Sequence, residues 1–91
     1  MRREELKDKL LMLLLDKFNL SVEHAEEGLR LNEDLRIDSV MIIQLIVYIE
    51  LEIGLEVPDH TIDPRAFATL GSVLDFMMEL TPLPAGIENR G

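Results

Sequence analysis

Leu31-Asn32-Glu33-Asp34-Leu35-Arg36-Ile37-Asp38-Ser39 runs into Val40-Met41-Ile42-Ile43-Gln44-Leu45-Ile46-Val47-Tyr48-Ile49, and this junction decides the fold. The first half is polar with two anchoring leucines; the second carries no charge until Glu50. Asp is a favoured helix N-cap, so Asp38 predicts a helix whose first turn contains Ser39. Backbone N–H groups lack intrahelical partners in that turn, and its partial positive charge suits a phosphate oxyanion. A serine held there is well placed to carry a phosphodiester. The helix should extend to about Ile53 and stop at Gly54, a residue that readily takes the left-handed conformation of a helix C-terminus.

Two apolar rows run along this helix. Ile42, Leu45, Ile46, Ile49 and Ile53 repeat at helical spacing and form an ordinary core face. Val40, Met41, Ile43, Val47 and Leu51 lie on other sides. A bundle with only two other long helices cannot easily enclose one of its members. Part of the second row should therefore stay open beside Ser39 as a docking surface, with Val40, Met41, Ile43, Gln44 and Val47 as the contact residues. The flexible thioether of Met41 suits contact with several partners.

Outward from the junction, residues 3 to 18 predict a first helix with Leu6, Leu10, Leu13, Leu14 and Phe18 inward. Asn19-Leu20-Ser21 stops it, and Ser21-Val22-Glu23-His24 could begin a short helical turn. The long connection to Ile37 is pinned by Leu29, Leu31, Leu35 and Ile37. After Gly54, residues 55 to 59 should be extended, because the residue before Pro58 disfavours helix. A short helical piece is expected between His60 and Phe67, near Pro64. Thr69 reads as the N-cap of a last helix, about 70 to 80, with Leu70, Val73, Phe76, Met77 and Leu80 on its apolar face. Structure should end at Thr81. The expected architecture is all-α: a small antiparallel bundle of three main helices plus a short fourth, spanning residues 1–81, with 82–91 as a flexible tail.

Ninety-one residues suffice for one core. With 4% aromatic residues and no Trp, that core must be aliphatic. The absence of Cys excludes disulfides and thiolate metal sites and fits a cytoplasmic location. No apolar run reaches the length of a membrane span. The net charge of −9 is unevenly placed: residues 18–63 hold eleven acidic side chains against Arg30 and Arg36, and the flanks balance. Such a field repels nucleic acid and anionic membrane and steers basic protein surfaces toward Ser39. His24 and His60 lack a metal-ligand companion, Ser39 lacks a histidine at a suggestive spacing, and no acid–base pair supports catalysis. A metal site and an enzymatic activity are therefore not expected. A helical interaction module without cofactor is the rival from another class.

Glu33-Asp34-Leu35 before Asp38-Ser39, the hydrophobic helix behind the serine, and Gly54-Leu55-Glu56-Val57-Pro58-Asp59 together resemble the acyl carrier protein family. Ala68-Thr69-Leu70-Gly71-Ser72-Val73 matches the Thr-x-Gly opening of that family's final helix. The resemblance spans roughly residues 5 to 80. It implies 4′-phosphopantetheine on Ser39, attached by a phosphopantetheinyl transferase, with Asp38 fixing the helix start and aiding transferase recognition. Val40 replaces the family's usual Leu, and Arg36 stands where Gly is common. Met41 and Gln44 replace the Asp and Glu of fatty-acid carriers, which points away from that pathway.

Within the family, Arg30 to Leu35, Asp38 to Met41 and Gln44 to Glu50 look most like a freestanding aryl carrier of petrobactin-type siderophore assembly. That likeness implies a monomer loaded with 3,4-dihydroxybenzoate by an adenylating ligase and unloaded by a condensing or amide-forming synthetase. Acyl or aminoacyl carriers of other polyketide, peptide or fatty-acid pathways remain the alternative.

Overall fold

The computed structural model describes residues 2–57 and 63–82. Helix α1 spans Arg3–Phe18 and turns Leu6, Leu10, Leu13 and Leu14 inward. Glu4 and Glu5 in its first turn and Lys17 in its last complement the helix dipole. Asn19 ends it in the left-handed region (φ 54°), and the Leu20 N–H returns to the Leu14 carbonyl at 3.0 Å.

Helix α2 spans Ser39–Tyr48 and continues through a π turn, Ile49–Ile53. The Gly54 N–H bonds the Ile49 carbonyl at 3.1 Å, and Gly54 adopts φ 81°. The helical stretch thus has the length expected, with its last turn widened by one residue. Helix α3 spans Leu70–Met78. Thr69 caps it reciprocally with Ser72: the Ser72 N–H donates to Thr69 Oγ1 at 3.1 Å, and the Thr69 N–H donates to Ser72 Oγ at 2.9 Å.

Three expectations need correction. Ser21–His24 makes no helical turn; the chain is irregular there, with only a tight Glu26 N–H to His24 carbonyl bond at 2.8 Å. The short fourth helix is absent from its described part. Pro64–Phe67 is a turn: the Asp63 carbonyl takes the Ala66 N–H at 2.9 Å and the Asp63 carboxylate takes the Arg65 N–H at 3.0 Å. His60 to Ile62 lie outside the described residues.

Thr81 does not end structure either. Strand β2, Thr81–Pro82, pairs antiparallel with β1, Leu55–Glu56, in the register Leu55↔Pro82 and Glu56↔Thr81. Proline lacks an N–H but is tolerated on such an edge. Residues 83–91 of the expected tail lie outside the described residues.

The core gathers Leu6, Leu10 and Leu14 of α1, Leu31 and Ile37 of the connection, Leu45 and Ile49 of α2, Leu55, and Leu70, Val73, Leu74 and Met77 of α3. Each fully buried aliphatic chain contributes about 1.5–3 kcal/mol. No polar or charged side chain is buried among the described residues, so packing alone fixes the interior. Leu74 escaped the sequence reading of α3, which assigned its place to the half-buried Phe76 and Leu80.

Candidate functional site

The long connection delivers Ser39, and it is stitched to the start of α3 by backbone bonds. The Leu31 N–H donates to the Ala68 carbonyl at 3.1 Å, the Leu70 N–H to Leu29 at 2.8 Å, and the Gly71 N–H to Glu27 at 2.8 Å. Gly71 is required by that last approach: a Cβ there would stand 3.0 Å from Glu27 Cβ and 3.1 Å from the Glu27 carbonyl oxygen.

Arg3 clamps the same region from α1, reaching Glu27 at 2.7 Å, Asp75 at 2.6 Å and the Gly71 carbonyl at 3.2 Å. Its hydrogen bond to Glu27 holds that carboxyl below the usual glutamate range. The bonds to Glu27 and Asp75 raise the Arg3 guanidinium in turn.

Closer to the serine, Leu31–Leu35 form a turn closed by the Asp34 and Leu35 N–H groups on the Arg30 carbonyl, at 2.9 and 3.1 Å. Leu31, Leu35 and Ile37 are buried beneath it. Arg36 sits between the last two with φ 60°, the left-handed conformation that favours glycine. Arg30 reaches Glu33 at 2.7 Å and Asp34 at 3.7 Å, so part of the acidity read from sequence is neutralised locally.

Asp38 is the N-cap of α2. Its Oδ1 accepts the Met41 N–H at 2.9 Å and its carbonyl accepts the Ile42 N–H at 3.0 Å. Ser39 follows as the first helical residue, with an exposed side chain. Along the helix behind it Val40, Ile43, Val47 and Leu51 are 64%, 53%, 41% and 72% exposed, and Gln44 is exposed between them. Met41 differs from the rest of that row: it is half-buried and packs against the core.

The face of α2 behind Ser39, from Val40 to Val47, is therefore apolar, uncharged and open. A cavity of about 610 Å³ lies between α1 and the π turn and is lined by residues that include Met12, Leu15, Lys17 and Glu52, not by Ser39. Among the described residues no cluster of three or more His, Asp or Glu side chains could hold a metal, and no helix is long and apolar enough to cross a membrane.

No family model matches the chain. It is 57% identical over 84 residues to the acyl carrier protein AsbD of Bacillus anthracis, which covers 91% of this chain and 92% of that protein. The chain belongs to the acyl carrier protein family. It is also 32% identical over 74 residues to the acyl carrier protein of Clostridium perfringens, 81% of this chain and 95% of that protein. The acyl carrier protein of Thermosynechococcus vestitus is 30% identical over 77 residues, 85% of this chain and 93% of that protein.

An acyl carrier protein is a non-catalytic carrier that works with partner enzymes, and family membership implies a phosphopantetheine group. The residues present fit such a group. An exposed hydroxyl stands at the first turn of α2, where Asp38 occupies the Met41 N–H and leaves the Ser39 and Val40 N–H groups without a protein partner among the described residues. A phosphodiester oxygen is the kind of acceptor those amides take.

Proposed function

We propose that Ser39 is the attachment point of 4′-phosphopantetheine and that the chain is a freestanding aryl carrier. On this reading an adenylating ligase loads it with 3,4-dihydroxybenzoate, and a condensing or amide-forming synthetase of petrobactin-type siderophore assembly unloads it. The observation that carries the reading is the exposed serine directly behind the Asp38 cap, bordered by an open, uncharged apolar row. The arm, when attached, supplies a thiol that holds the cargo as a thioester.

The chain's own residues do the rest. Asp38 fixes the start of α2 and so the position of the Ser39 hydroxyl that the transferase must reach. Val40, Ile43 and Val47, with Gln44 between them, offer partner enzymes a surface recognised by shape and apolar contact, which Met41 supports from below. The lack of carboxylates at Met41 and Gln44 argues against enzymes that read a fatty-acid carrier by charge. The interior lined by Leu10, Leu14, Leu31, Leu35, Ile37, Leu45, Leu70 and Val73 has no room for a water molecule. A dihydroxyaryl group would also leave its hydroxyls unsatisfied there, which favours carriage of the cargo on the outside. The absence of Cys leaves the arm's sulfur as the sole thiol and fits work in the cytoplasm, and the carrier acts on this reading as a monomer.

Incubation of the apo protein with coenzyme A and a promiscuous phosphopantetheinyl transferase tests the attachment. The mass of one arm should appear on Ser39 of wild type, and Ser39→Ala should stay bare. Loading of the holo form by adenylating enzymes then decides the cargo. Efficient charging with 3,4-dihydroxybenzoate is expected; preference for an amino acid or a malonyl group would reassign the pathway, and a bare wild type would leave a cofactor-free interaction module.

A further inference from the structure

Arg36 differs from the other arginines around the site. Arg3 holds Glu27 and Asp75, Arg30 holds Glu33 and Asp34, and Arg65 holds Asp63. Arg36 is exposed and has no hydrogen-bond or ion-pair partner among the described residues. The nearby acids are engaged elsewhere: Glu33 and Asp34 by Arg30, and an oxygen of Asp38 by the Met41 amide. Arg36 is also the only Lys or Arg between Arg30 and Arg65. It keeps its side chain although its φ of 60° would suit glycine better. Backbone conformation therefore gives no reason for an arginine here, and no carboxylate among the described residues claims its charge.

Its place supplies a reason. Leu35 and Ile37, on either side of it, are buried, and the Ile37 N–H is tied to the Leu31 carbonyl at 2.8 Å, so the backbone of Arg36 is held firmly. Ser39 is three residues further on, a span of at most about 10 Å of chain, and an arginine side chain covers much of that reach. Loading would add a phosphodiester anion to Ser39 in the company of Glu33, Asp34 and Asp38. An unclaimed guanidinium within that reach would match phosphate oxygens in charge and in donor geometry.

We infer that Arg36 is a positioning residue that binds the phosphodiester of the loaded arm and so sets the direction in which the arm leaves the bundle. The inference rests on the reading of Ser39 as the attachment point.

Phosphorus-31 NMR of the holo protein tests it, with loading verified by mass for every variant. The wild-type resonance should be displaced from its position in the urea-unfolded chain. Most of the part due to Arg36 should vanish in both Arg36→Gln and Arg36→Gly, while Arg36→Lys retains some of it as a point charge. Agreement between the Gln and Gly variants, which differ in backbone strain, assigns the effect to charge. In wild type, sodium chloride should move the resonance toward that of Arg36→Gln, and Arg36→Gln should respond little. Coincident resonances of loaded wild type and loaded Arg36→Gln would overturn the inference, as would a salt-insensitive wild type, whose measurement needs no variant to fold. A wild type with no added mass overturns the attachment reading and this inference together, and is told apart by the mass alone.

Discussion

Gly71→Ala is a sharp test of how the connection is held, because opposing effects can be weighed from the structure. An alanine favours helix over glycine by about 1 kcal/mol in a helix interior, and less at Gly71, which lies in the first turn of α3. Against this, the new methyl would meet Glu27 Cβ at 3.0 Å and the Glu27 carbonyl oxygen at 3.1 Å. Neither atom is the free end of a flexible chain. The carbonyl also accepts the Gly71 N–H at 2.8 Å, so moving it away weakens a bond worth about 1 kcal/mol. Overpacking of this kind costs roughly 1–3 kcal/mol.

The net expectation is a loss of about 2 kcal/mol, seen as a lower urea midpoint by far-UV circular dichroism with unchanged slope. The thermal midpoint should fall by roughly 10 °C for a domain of this size. The Glu27 Oε1 contact, also 3.1 Å, belongs to a mobile carboxylate and should matter less. In a Glu27→Ala background Gly71→Ala should therefore keep most of its cost. Equal or greater stability of Gly71→Ala, or disappearance of the cost once the Glu27 carboxylate is gone, would refute the argument that backbone crowding demands glycine.

Other expectations are simpler. Arg36→Gly should raise stability by about 0.5–1 kcal/mol by urea denaturation, since relief of the left-handed strain exceeds the added freedom of the unfolded chain; a loss would mean that the side chain is structurally engaged. Glu27 has a folded pKa depressed by Arg3 from a starting value of 4.5. Its contribution is therefore present above that pH and lost as pH falls through the lower folded value, so Glu27→Gln should show a shallower acid-side decline in thermal midpoint than wild type. Val47→Asp and Ile43→Asp should leave helicity and stability nearly intact while partner-enzyme turnover falls. Met41→Asp, by contrast, should also destabilise, because Met41 packs on the core; equal stability of all three variants would contradict that distinction.

The parts of this molecule that were legible in sequence are those written in short-range pattern. Leucine spacing located α1, Asp38 and Thr69 announced the starts of α2 and α3, and Gly54 announced an end. The split of α2 into a buried row and an open row also followed from counting how few helices were available to cover it. What escaped depends on partners distant in the chain. The Arg3 clamp joins residues 24 and 72 positions apart, and the pairing of Leu55–Glu56 with Thr81–Pro82 is equally remote. Leu74 was legible but missed: with Leu70, Val73 and Met77 it completes one i, i+3, i+4, i+7 stripe, and Phe76 and Leu80 flank that stripe. At Ser21 and near Pro64, where helical turns were expected, the chain makes only local turn bonds. At the site, the glycine common in the family at the position of Arg36 was the available signal for its positive φ.

On the docking role proposed above, the two rows of α2 let one short helix serve both the fold and its partners. Leu45, Ile46 and Ile49 have their apolar surface removed from water by the bundle itself, so changing them is charged to stability, at about 2–5 kcal/mol for truncation to alanine. Val40, Ile43 and Leu51 keep more than half of their surface in water after folding and Val47 about two fifths, so this row gains less from folding. An apolar row left open would promote self-association in a neutral protein. Here the net charge of −9 opposes the approach of a second copy over distances at which apolar contact has no reach. The acids that surround the site therefore need not bind a partner to be useful: by keeping copies apart they leave the row free. On that docking role, partner choice can then change through the exposed side chains without altering the packing that fixes Ser39 in place.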